Sequence, residues 1–529
     1  MAVLVRPDAG NVSWMQNFIS GEVSFAVLYK EETIMQNKTD NILEIIKDPK
    51  YTYPQRIIAL AQAAENLPDP VKLSEDAQWF VDRDIVFDMG EGNVPYRPRY
   101  VLPDYDKFMK EGSKFLMLDP PEDIWDAVSN LLILYRHVPS VIDGPVYIGH
   151  IDRLLEPFVK DEQEAEHAIK IFLTNIDRTI SDSFCHADIG PYDTKAGRII
   201  LKLSAKMQRP VPNMSLIYNE HTPDDFAIKA IETGLATAKP SFVNDAMYSK
   251  DWGSDYAIVS CYNALPIGGG GLTLGRLNLK KLSDEAKDKE HFLNDLLPRA
   301  VAAQCEQMDK RDNFIFDEAH FMENTFLTDE GLISKDKFVG MFGLVGLAEC
   351  VNKVLGLTKP EERYGHGKEA EEFALHVLDL IHEQVSSYKP KYGRFAMHGQ
   401  VGISTDEGVT PNTRIPVGEE PSLPEQLLFT AKTQKHFAAG IGELFPFEET
   451  AMKNPESVLD IIKGAFAQDM RYFSFYSSDS DVIRVTGYLV KKSDILKYDA
   501  GEACLGNSTV LGSGASKGLH IFERSIRNV

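Results

Sequence analysis

Short apolar segments alternate along this chain with longer amphipathic ones, and this alternation limits the folds open to it. Five apolar segments predict strands: Pro145–His150, Met214–Asn219, Tyr256–Asn263, Arg394–Gly399 and Asp481–Val490. Apolar residues at three- and four-residue spacing predict helices between them, at 121–138, 224–238, 291–308, 337–355 and 369–385. Strands alternating with helices are typical of α/β proteins. No Pro/Gly/Ser-rich linker interrupts the pattern, so we expect one large domain.

The expected organisation has three parts. Residues 1–120 are mostly helical and polar and are expected to form an outer layer of that domain. Residues 121–480 hold the strand–helix alternation and are expected to form its α/β body. Residues 481–529 are expected to contribute a last apolar segment and a separately packed tail.

The composition limits which molecules the chain can bind and which cellular compartment suits it. The chain has 56 basic and 79 acidic residues, a formal net charge of −23, which repels nucleic acids and anionic membrane surfaces. Its five cysteines show no C-x-x-C spacing, so neither a disulfide framework nor a zinc ribbon is predicted. The first twenty residues lack the apolar core of a signal peptide, and the longest apolar run, 338–351, is shorter than the ~20 residues of a membrane helix. We therefore expect a cytoplasmic protein without nucleic-acid or membrane partners.

A glycine interrupts the last apolar segment, in the sequence Arg484-Val485-Thr486-Gly487-Tyr488-Leu489-Val490. On spacing alone, such a glycine indicates a bulge or a close backbone approach. The segment also resembles the RV-x-GY signature of glycyl radical enzymes, which lies near the end of the chain in that superfamily. The residue type suits this chemistry, because a glycine Cα radical is stabilised by the flanking amide groups and no side chain obstructs hydrogen abstraction.

A glycyl radical enzyme also needs a cysteine that relays the radical to substrate. Cys261 follows the predicted strand of YAIVS and precedes YNALPIGGGG, so it is expected where a strand turns into a loop. A lone cysteine at a strand end is usually inert, but together with the RVTGY segment it is our candidate relay. The other cysteines fit less well, since Cys305 and Cys350 lie in amphipathic segments, Cys185 lies in a polar segment, and Cys504 follows the glycine.

Two further segments resemble the same superfamily. The stretch 239–245, KPSFVND, is similar to the P-x-x-x-N-D sequence before the cysteine loop. The stretch 410–414, TPNTR, followed by GEEP at 418–421, is similar to the TPDGR and G-E-P sequences of the dehydratase and lyase branches. Asn412 and Thr413 replace the usual Asp-Gly there. In length and in these motifs the chain most resembles the YjjI-type glycyl radical enzymes.

The resemblance implies a ten-stranded α/β barrel with a helical outer layer, in which the cysteine loop and the glycine loop meet inside. It further implies a homodimer and a separate radical-SAM enzyme that removes a hydrogen from Gly487. The mature enzyme would then carry a protein radical as its cofactor, with no metal site. The implied substrate is a small polar molecule that undergoes elimination, cleavage or rearrangement after a Cys261 thiyl radical abstracts a hydrogen.

The residues beside Cys261 depart from well-known branches. Pyruvate formate-lyase carries two adjacent cysteines, whereas Ser260 and Tyr262 flank Cys261 here. Diol, choline and hydroxyproline enzymes carry Cys-x-Glu, where the carboxylate is a general base. Asn263 occupies that position and can orient a hydroxyl or carbonyl but cannot accept a proton at physiological pH.

A base from elsewhere in the sequence is one alternative, with Asp245, Glu419 and His398 as candidates. Arg414 is a candidate for binding an anionic group. For each of these residues a structural role, as a turn, cap or ion pair, is an equal alternative. The predicted substrate-binding residues are those close to the motifs: Asn263, Asn244, Asp245, His398 and Arg414.

Other functions stay open on the sequence alone. Formate-lyase-like carbon–carbon cleavage that uses Cys261 alone is the main enzymatic alternative. A tetraglycine at 268–271 suggests a nucleotide- or metabolite-binding barrel without radical chemistry. Neither a P-loop nor a Rossmann fingerprint is matched, however, and a flexible backbone beside Cys261 is preferred. Anaerobic ribonucleotide reductase is disfavoured, since no four-cysteine zinc spacing surrounds Gly487. A non-catalytic barrel is disfavoured because both motifs are intact.

Overall fold

The computed structural model describes residues 42–65, 70–88, 96–140, 144–180, 182–400, 408–477, 479–485, 487–509 and 512–513. Its α-helices are Tyr53–Glu65, Glu75–Val81, Tyr105–Glu111, Ile124–Tyr135, Ile151–Leu155, Glu162–Thr179, Lys195–Met207, Asp224–Thr237, Asp245–Trp252, Leu279–Asp284, Lys289–His291, Leu297–Asn313, Phe326–Asp329, Leu347–Val354, Lys368–Ser387, Leu423–Gln434, Pro455–Phe466 and Lys492–Asp499. The strands are β1 Val86–Asp88, β2 Tyr100–Leu102, β3 Tyr147–His150, β4 His186–Ile189, β5 Asn213–Tyr218, β6 Ser241–Asn244, β7 Tyr256–Val259, β8 Asn263–Pro266, β9 Gly269–Asn278, β10 Phe338–Val345, β11 Arg394–Gly399, β12 Glu443–Phe447, β13 Tyr472–Ser477, β14 Val482–Val485 and β15 Tyr488–Lys491.

Most strands belong to two sheets within the described residues. One sheet runs β12-β13-β6-β5-β4-β3, with β3 to β6 parallel and β13 antiparallel to β6. The other sheet runs β1-β9-β10-β11, with β9 to β11 parallel and β2 also paired to β9. The chain therefore has the predicted α/β architecture, although no single ring of hydrogen-bonded strands closes among the described residues.

Helices cover these sheets because their apolar faces pack against them. One large core joins the first sheet to helices such as Glu162–Thr179 and Asp224–Thr237. A second core joins the other sheet to Leu297–Asn313 and Lys368–Ser387. Both faces of a parallel sheet are buried in this arrangement, so its strands are buried along most of their length, and the polar residues they contain lie inside the protein.

The prediction of one helix over 337–355 is wrong. Residues Phe338–Val345 form β10, and the helix begins only at Leu347, after Gly346 with a φ of +76°. All eight residues of β10 are buried. A strand buried on both faces is a continuous apolar run, which periodicity does not distinguish from a buried helix.

The tetraglycine interpretation is also corrected. Gly269 to Gly271 are part of β9, a regular strand, rather than a flexible loop. A Cβ on Gly269 would lie 2.0 Å from the carbonyl oxygen of Lys337, and one on Gly270 equally close to that of Tyr100. These glycines allow close backbone packing and do not form a phosphate cradle.

Three findings concern the outer parts of the chain. Residues 1–41 of the predicted N-terminal layer lie outside the described residues. Between 42 and 120, β1 and β2 join the second sheet alongside the helices. None of the described helices is long and apolar enough to cross a membrane.

Candidate active site

Cys261 lies at the tip of a β-hairpin inside the protein. The hairpin pairs β7 with β8, and Val259 opposite Asn263 closes it around residues 260–262. Cys261 is 6% exposed, and its Sγ accepts a hydrogen bond of 3.6 Å from Asn263 Nδ2. Its carbonyl oxygen accepts another, of 3.2 Å, from the Tyr472 hydroxyl. The sequence prediction of a turn after the YAIVS strand is confirmed.

Ser260, the residue before the cysteine, has a left-handed backbone conformation with a φ of +58°. Such a φ is uncommon for a residue other than glycine and persists when surrounding contacts hold it. The Ser260 amide donates to Val146 O at 3.2 Å, while its carbonyl accepts from His186 Nδ1 at 2.8 Å and from Asn213 Nδ2 at 3.3 Å. These bonds fix the turn that places Cys261.

His186 has a defined protonation state in this arrangement. A carbonyl oxygen only accepts, so Nδ1 carries the hydrogen, and Nε2 accepts from the Ser215 hydroxyl at 2.9 Å. Burial lowers the pKa of His186 to about 3. Neutral imidazole is therefore the form that holds the Ser260 carbonyl.

Gly487 lies at the tip of a second hairpin. Strands β14 and β15 are antiparallel, and Val485 opposite Tyr488 closes the turn. The segment is thus a hairpin rather than one strand with a bulge. The φ of Gly487 is outside the left-handed region, so backbone conformation does not explain the glycine. Lack of space for a side chain explains the glycine, because a Cβ there would lie 2.2 Å from Cys261 Cβ.

The two hairpin tips are in direct contact. A Cβ built on Gly487 would lie 3.2 Å from Cys261 Sγ. A C–C bond is about 1.5 Å long, so the Gly487 Cα itself lies within about 5 Å of the sulfur. The prediction that these two residues lie on separate loops that meet in the interior is confirmed, across the 226 positions (487 − 261) between them.

His398 lies on the far side of the cysteine hairpin. Its ring stacks on the Tyr262 ring at a centroid distance of 5.7 Å, and it is 2% exposed. Neither ring nitrogen makes a hydrogen bond of good geometry with a described residue, although the Gln400 side chain lies beside the ring. Burial, together with the positive charge of Arg99, lowers the pKa of His398 to about 3. The side chain is therefore a neutral donor and acceptor at physiological pH.

Arg414 lies beside the same tyrosine but is not a free cation. Its guanidinium pairs with Glu443, Nε to Oε1 at 3.5 Å, and donates to the carbonyl of Gly442 at 3.1 Å. A Cβ on Gly442 would lie 2.5 Å from the Tyr262 ring, so this segment packs directly against the cysteine hairpin. Glu443 is a buried carboxylate that sequence reasoning missed. Its only local sequence signal is its place after G-x-G, at the start of a strand.

The model of the family described as "Glycyl radical enzyme YjjI-like" matches residues 51–527. This chain belongs to that family. An uncharacterized protein of Haemophilus influenzae is 43% identical over 500 residues, covering 92% of this chain and 97% of that one. The uncharacterized protein YjjI of Escherichia coli is 40% identical over 492 residues, covering 92% and 95%.

Solved structures show the same fold at low identity. The glycerol-bound, B12-independent glycerol dehydratase of Clostridium butyricum is similar with a TM-score of 0.63 and 13% identity, covering 85% of this chain and 86% of that one. The anaerobic ribonucleotide reductase of Thermotoga maritima, in complex with dATP and CTP, has a TM-score of 0.63 and 14% identity, covering 92% and 93%. The α/β fold of glycyl radical enzymes, predicted from the motifs, is thereby confirmed.

Three predicted residues of this glycyl radical enzyme have contacts that belong to packing. Asn244 donates to the carbonyl of Met470 at 2.9 Å, and Asp245 accepts from Asn219, Ser249 and Tyr256 at the start of a helix. Glu419 forms an ion pair with Arg363, 2.8 Å apart, and is about one-third exposed. A substrate-binding role for Asn244 and Asp245 stays a prediction, as does a base role for Asp245 or Glu419.

Cysteines other than Cys261 have environments that suppress thiolate formation. Burial raises the pKa of Cys305 to about 12, and it raises those of Cys185 and Cys350 further. Cys504 donates from Sγ to the carbonyl of Asp494 at 3.3 Å, in the C-terminal segment. Hydrogen-atom transfer uses a neutral thiol, so the choice rests on position: the three heavy atoms nearest a Cβ built on Gly487 belong to Cys261 and Tyr262, and to none of these four cysteines.

The pKa of His398 gives a stability prediction. An unfolded histidine binds a proton near pH 6.5, whereas folded His398 binds one only near pH 3. Above pH 6.5 the side chain is neutral in both the folded and the unfolded state, and as pH falls from 6.5 toward 3 the unfolded state alone takes up the proton, so the fold loses stability. We expect the wild-type free energy of unfolding to fall by about 2 kcal/mol more than that of His398→Gln between pH 7 and pH 5. Urea unfolding at both pH values measures this, and equal losses would contradict the neutral assignment.

Proposed function

We propose that this chain is an oxygen-sensitive enzyme in which Gly487 stores a radical and Cys261 uses it. The observation that supports this is the contact between the two hairpin tips, where a single Cβ on Gly487 would overlap Cys261. In the forward step, Cys261 Sγ–H gives one hydrogen atom to the Gly487 Cα radical. This leaves a C–H bond on Gly487 and a thiyl radical on sulfur. The thiyl radical then abstracts a hydrogen atom from the substrate.

The proposed substrate is a small polar molecule. Two buried polar groups beside the cysteine support this, since Asn263 Oδ1 and the His398 ring have no hydrogen-bond partner of ordinary geometry among the described residues. Buried polar groups usually find partners, so a ligand hydroxyl or carbonyl is a suitable one. A structural relative binds glycerol, a molecule of this class. Elimination, cleavage and rearrangement of the substrate radical are the proposed reaction types.

The remaining features of the proposal come from the family. A radical-SAM activating enzyme is the proposed source of the radical, and a homodimer is the proposed assembly. We propose no bound metal or organic cofactor beyond the glycyl radical, no nucleic-acid partner, and a cytoplasmic location.

Anaerobic activation tests this function. After treatment with the cognate radical-SAM enzyme, we expect an electron paramagnetic resonance doublet, because the unpaired electron couples to the one hydrogen left on Gly487. Air should then cleave the chain at Gly487, giving a fragment that ends at Val529, which mass spectrometry identifies. An activated protein that shows neither the doublet nor this fragment would overturn the proposal.

Substrate selectivity gives a second prediction. Asn263 Nδ2 is committed to Cys261 Sγ and its oxygen is no base, so the activated enzyme should not dehydrate 1,2-propanediol or cleave choline. Ser260 and Tyr262 replace a second cysteine, so no exchange of formate into pyruvate with coenzyme A is expected. Anaerobic assays with these three substrates check both statements. Robust diol dehydration would show that another residue, such as Glu443, supplies the base.

A further inference from the structure

A buried arginine contacts the carbonyl of the candidate radical residue. Arg484 is 1% exposed and donates from Nη1 to Gly487 O at 3.3 Å. Its Nη2 donates to Asn213 Oδ1 and to Ala238 O, both at 2.9 Å. Burial lowers the pKa of Arg484. A charge this deeply buried is expensive, which indicates that its hydrogen bonds matter for this site.

Asn213 extends these contacts from one hairpin to the other. It is fully buried at the start of β5, and its Oδ1 accepts both the arginine and the amide of Met214, at 2.9 Å each. Its Nδ2 donates to Ser260 O at 3.3 Å and, more weakly, to Gly487 O at 3.5 Å. One side-chain amide therefore joins the backbones next to the cysteine and at the glycine.

We infer that Arg484 and Asn213 form a bridge that positions Gly487 Cα against Cys261 Sγ and so sets the rate of hydrogen-atom exchange between them. The inference rests on the proposed function, because it assumes that this exchange occurs. Hydrogen transfer depends steeply on the separation of the reacting atoms, and a misplacement of about 1 Å costs on the order of a hundredfold in rate. A planar guanidinium suits the task, since its fixed fork directs N–H groups at Gly487 O, Asn213 Oδ1 and Ala238 O, a geometry that the single ammonium group of lysine does not reproduce.

The exchange itself supplies the measurement. In D2O the Cys261 thiol becomes S–D, and transfer to the Gly487 radical gives a CHD centre and a thiyl radical. Return transfer removes either isotope, so deuterium accumulates on Gly487 and the doublet collapses. The collapse rate reports on the contact between the two residues and is independent of any substrate.

We expect the collapse to slow by about tenfold or more in Arg484→Lys and in Asn213→Ser, with the doublet still formed. Arg276→Lys is the matched control, because Arg276 is equally buried but lies in β9, away from the two hairpins, and pairs with Asp84. It should collapse at the wild-type rate. The double variant Arg484→Lys/Asn213→Ser should be no slower than the slower single variant, since both residues act on one bridge.

The outcomes separate the two proposals. If wild type gives no doublet, or if Cys261→Ala collapses as fast as wild type, the proposed function fails. If wild type collapses through Cys261 but Arg484→Lys and Asn213→Ser match it, the bridge is wrong. If Arg484→Lys fails to form a radical, Asn213→Ser is the deciding variant, because it keeps the arginine and its bond to Gly487 O while removing the amide that joins the two hairpins.

Discussion

Replacing Cys261 with alanine should abolish turnover while the glycyl doublet still forms. Storage on Gly487 and abstraction by sulfur are assigned to different residues, so removal of the thiol leaves the first intact. We expect turnover to fall by more than about 10⁴-fold, the scale of loss when a reacting group is removed. Spin quantification and turnover assays on the same activated sample measure both properties.

Cys504→Ala is the matched control for this variant. Its thiol is also partly shielded but donates to the Asp494 carbonyl, outside the two hairpins. We expect wild-type turnover and a wild-type doublet. If Cys261→Ala kept measurable turnover, or if Cys504→Ala lost it, the relay would have to be assigned to another thiol.

Replacing Gly487 with alanine should remove the doublet and destabilise the protein. The added methyl group would lie 2.2 Å from Cys261 Cβ, so one hairpin must move. Overpacking of this kind costs about 1–3 kcal/mol. Paramagnetic resonance after activation and urea unfolding of the non-activated chain test the two parts independently.

Gly464→Ala is the control in which the added methyl group has free space around it. Gly464 is exposed in the helix Pro455–Phe466, and a Cβ there would meet nothing within 4 Å. Alanine should stabilise that helix by up to about 1 kcal/mol and leave the doublet unchanged. A Gly487→Ala protein as stable as wild type would contradict the contact between the tips, and a surviving doublet would place the radical elsewhere.

The sequence predicted the α/β class, the turn at Cys261 and the meeting of Cys261 with Gly487, but it predicted one strand where β14 and β15 form a hairpin. The RVTGY segment and the strand–cysteine–glycine pattern each occupy a few consecutive residues, so a single sequence carries them. The wrong prediction of one helix over 337–355 also came from a local pattern. Local periodicity cannot show that β10 is covered on both faces, since the covering helices come from distant parts of the chain.

The supporting residues were missed for a different reason. His186 and Asn213 begin parallel strands β4 and β5, and Tyr472 begins β13, so only the sheet brings their side chains to the Cys261 turn. Each is an ordinary polar residue in an ordinary strand when taken from the sequence. Asn244 and Asp245 show the converse, because a motif match drew attention to side chains whose described contacts are structural: Asn244 donates to the Met470 carbonyl, and Asp245 accepts from Ser249 in the first turns of a helix.

Because Cys261 and Gly487 pack directly against each other, the residues allowed at one position depend on the residue at the other. A larger residue at 487 requires that one hairpin moves or that position 261 shrinks, and shrinking 261 removes the thiol that the proposed chemistry needs. A lineage that loses one of these residues has no selective reason to keep the other, so related proteins should carry both or neither.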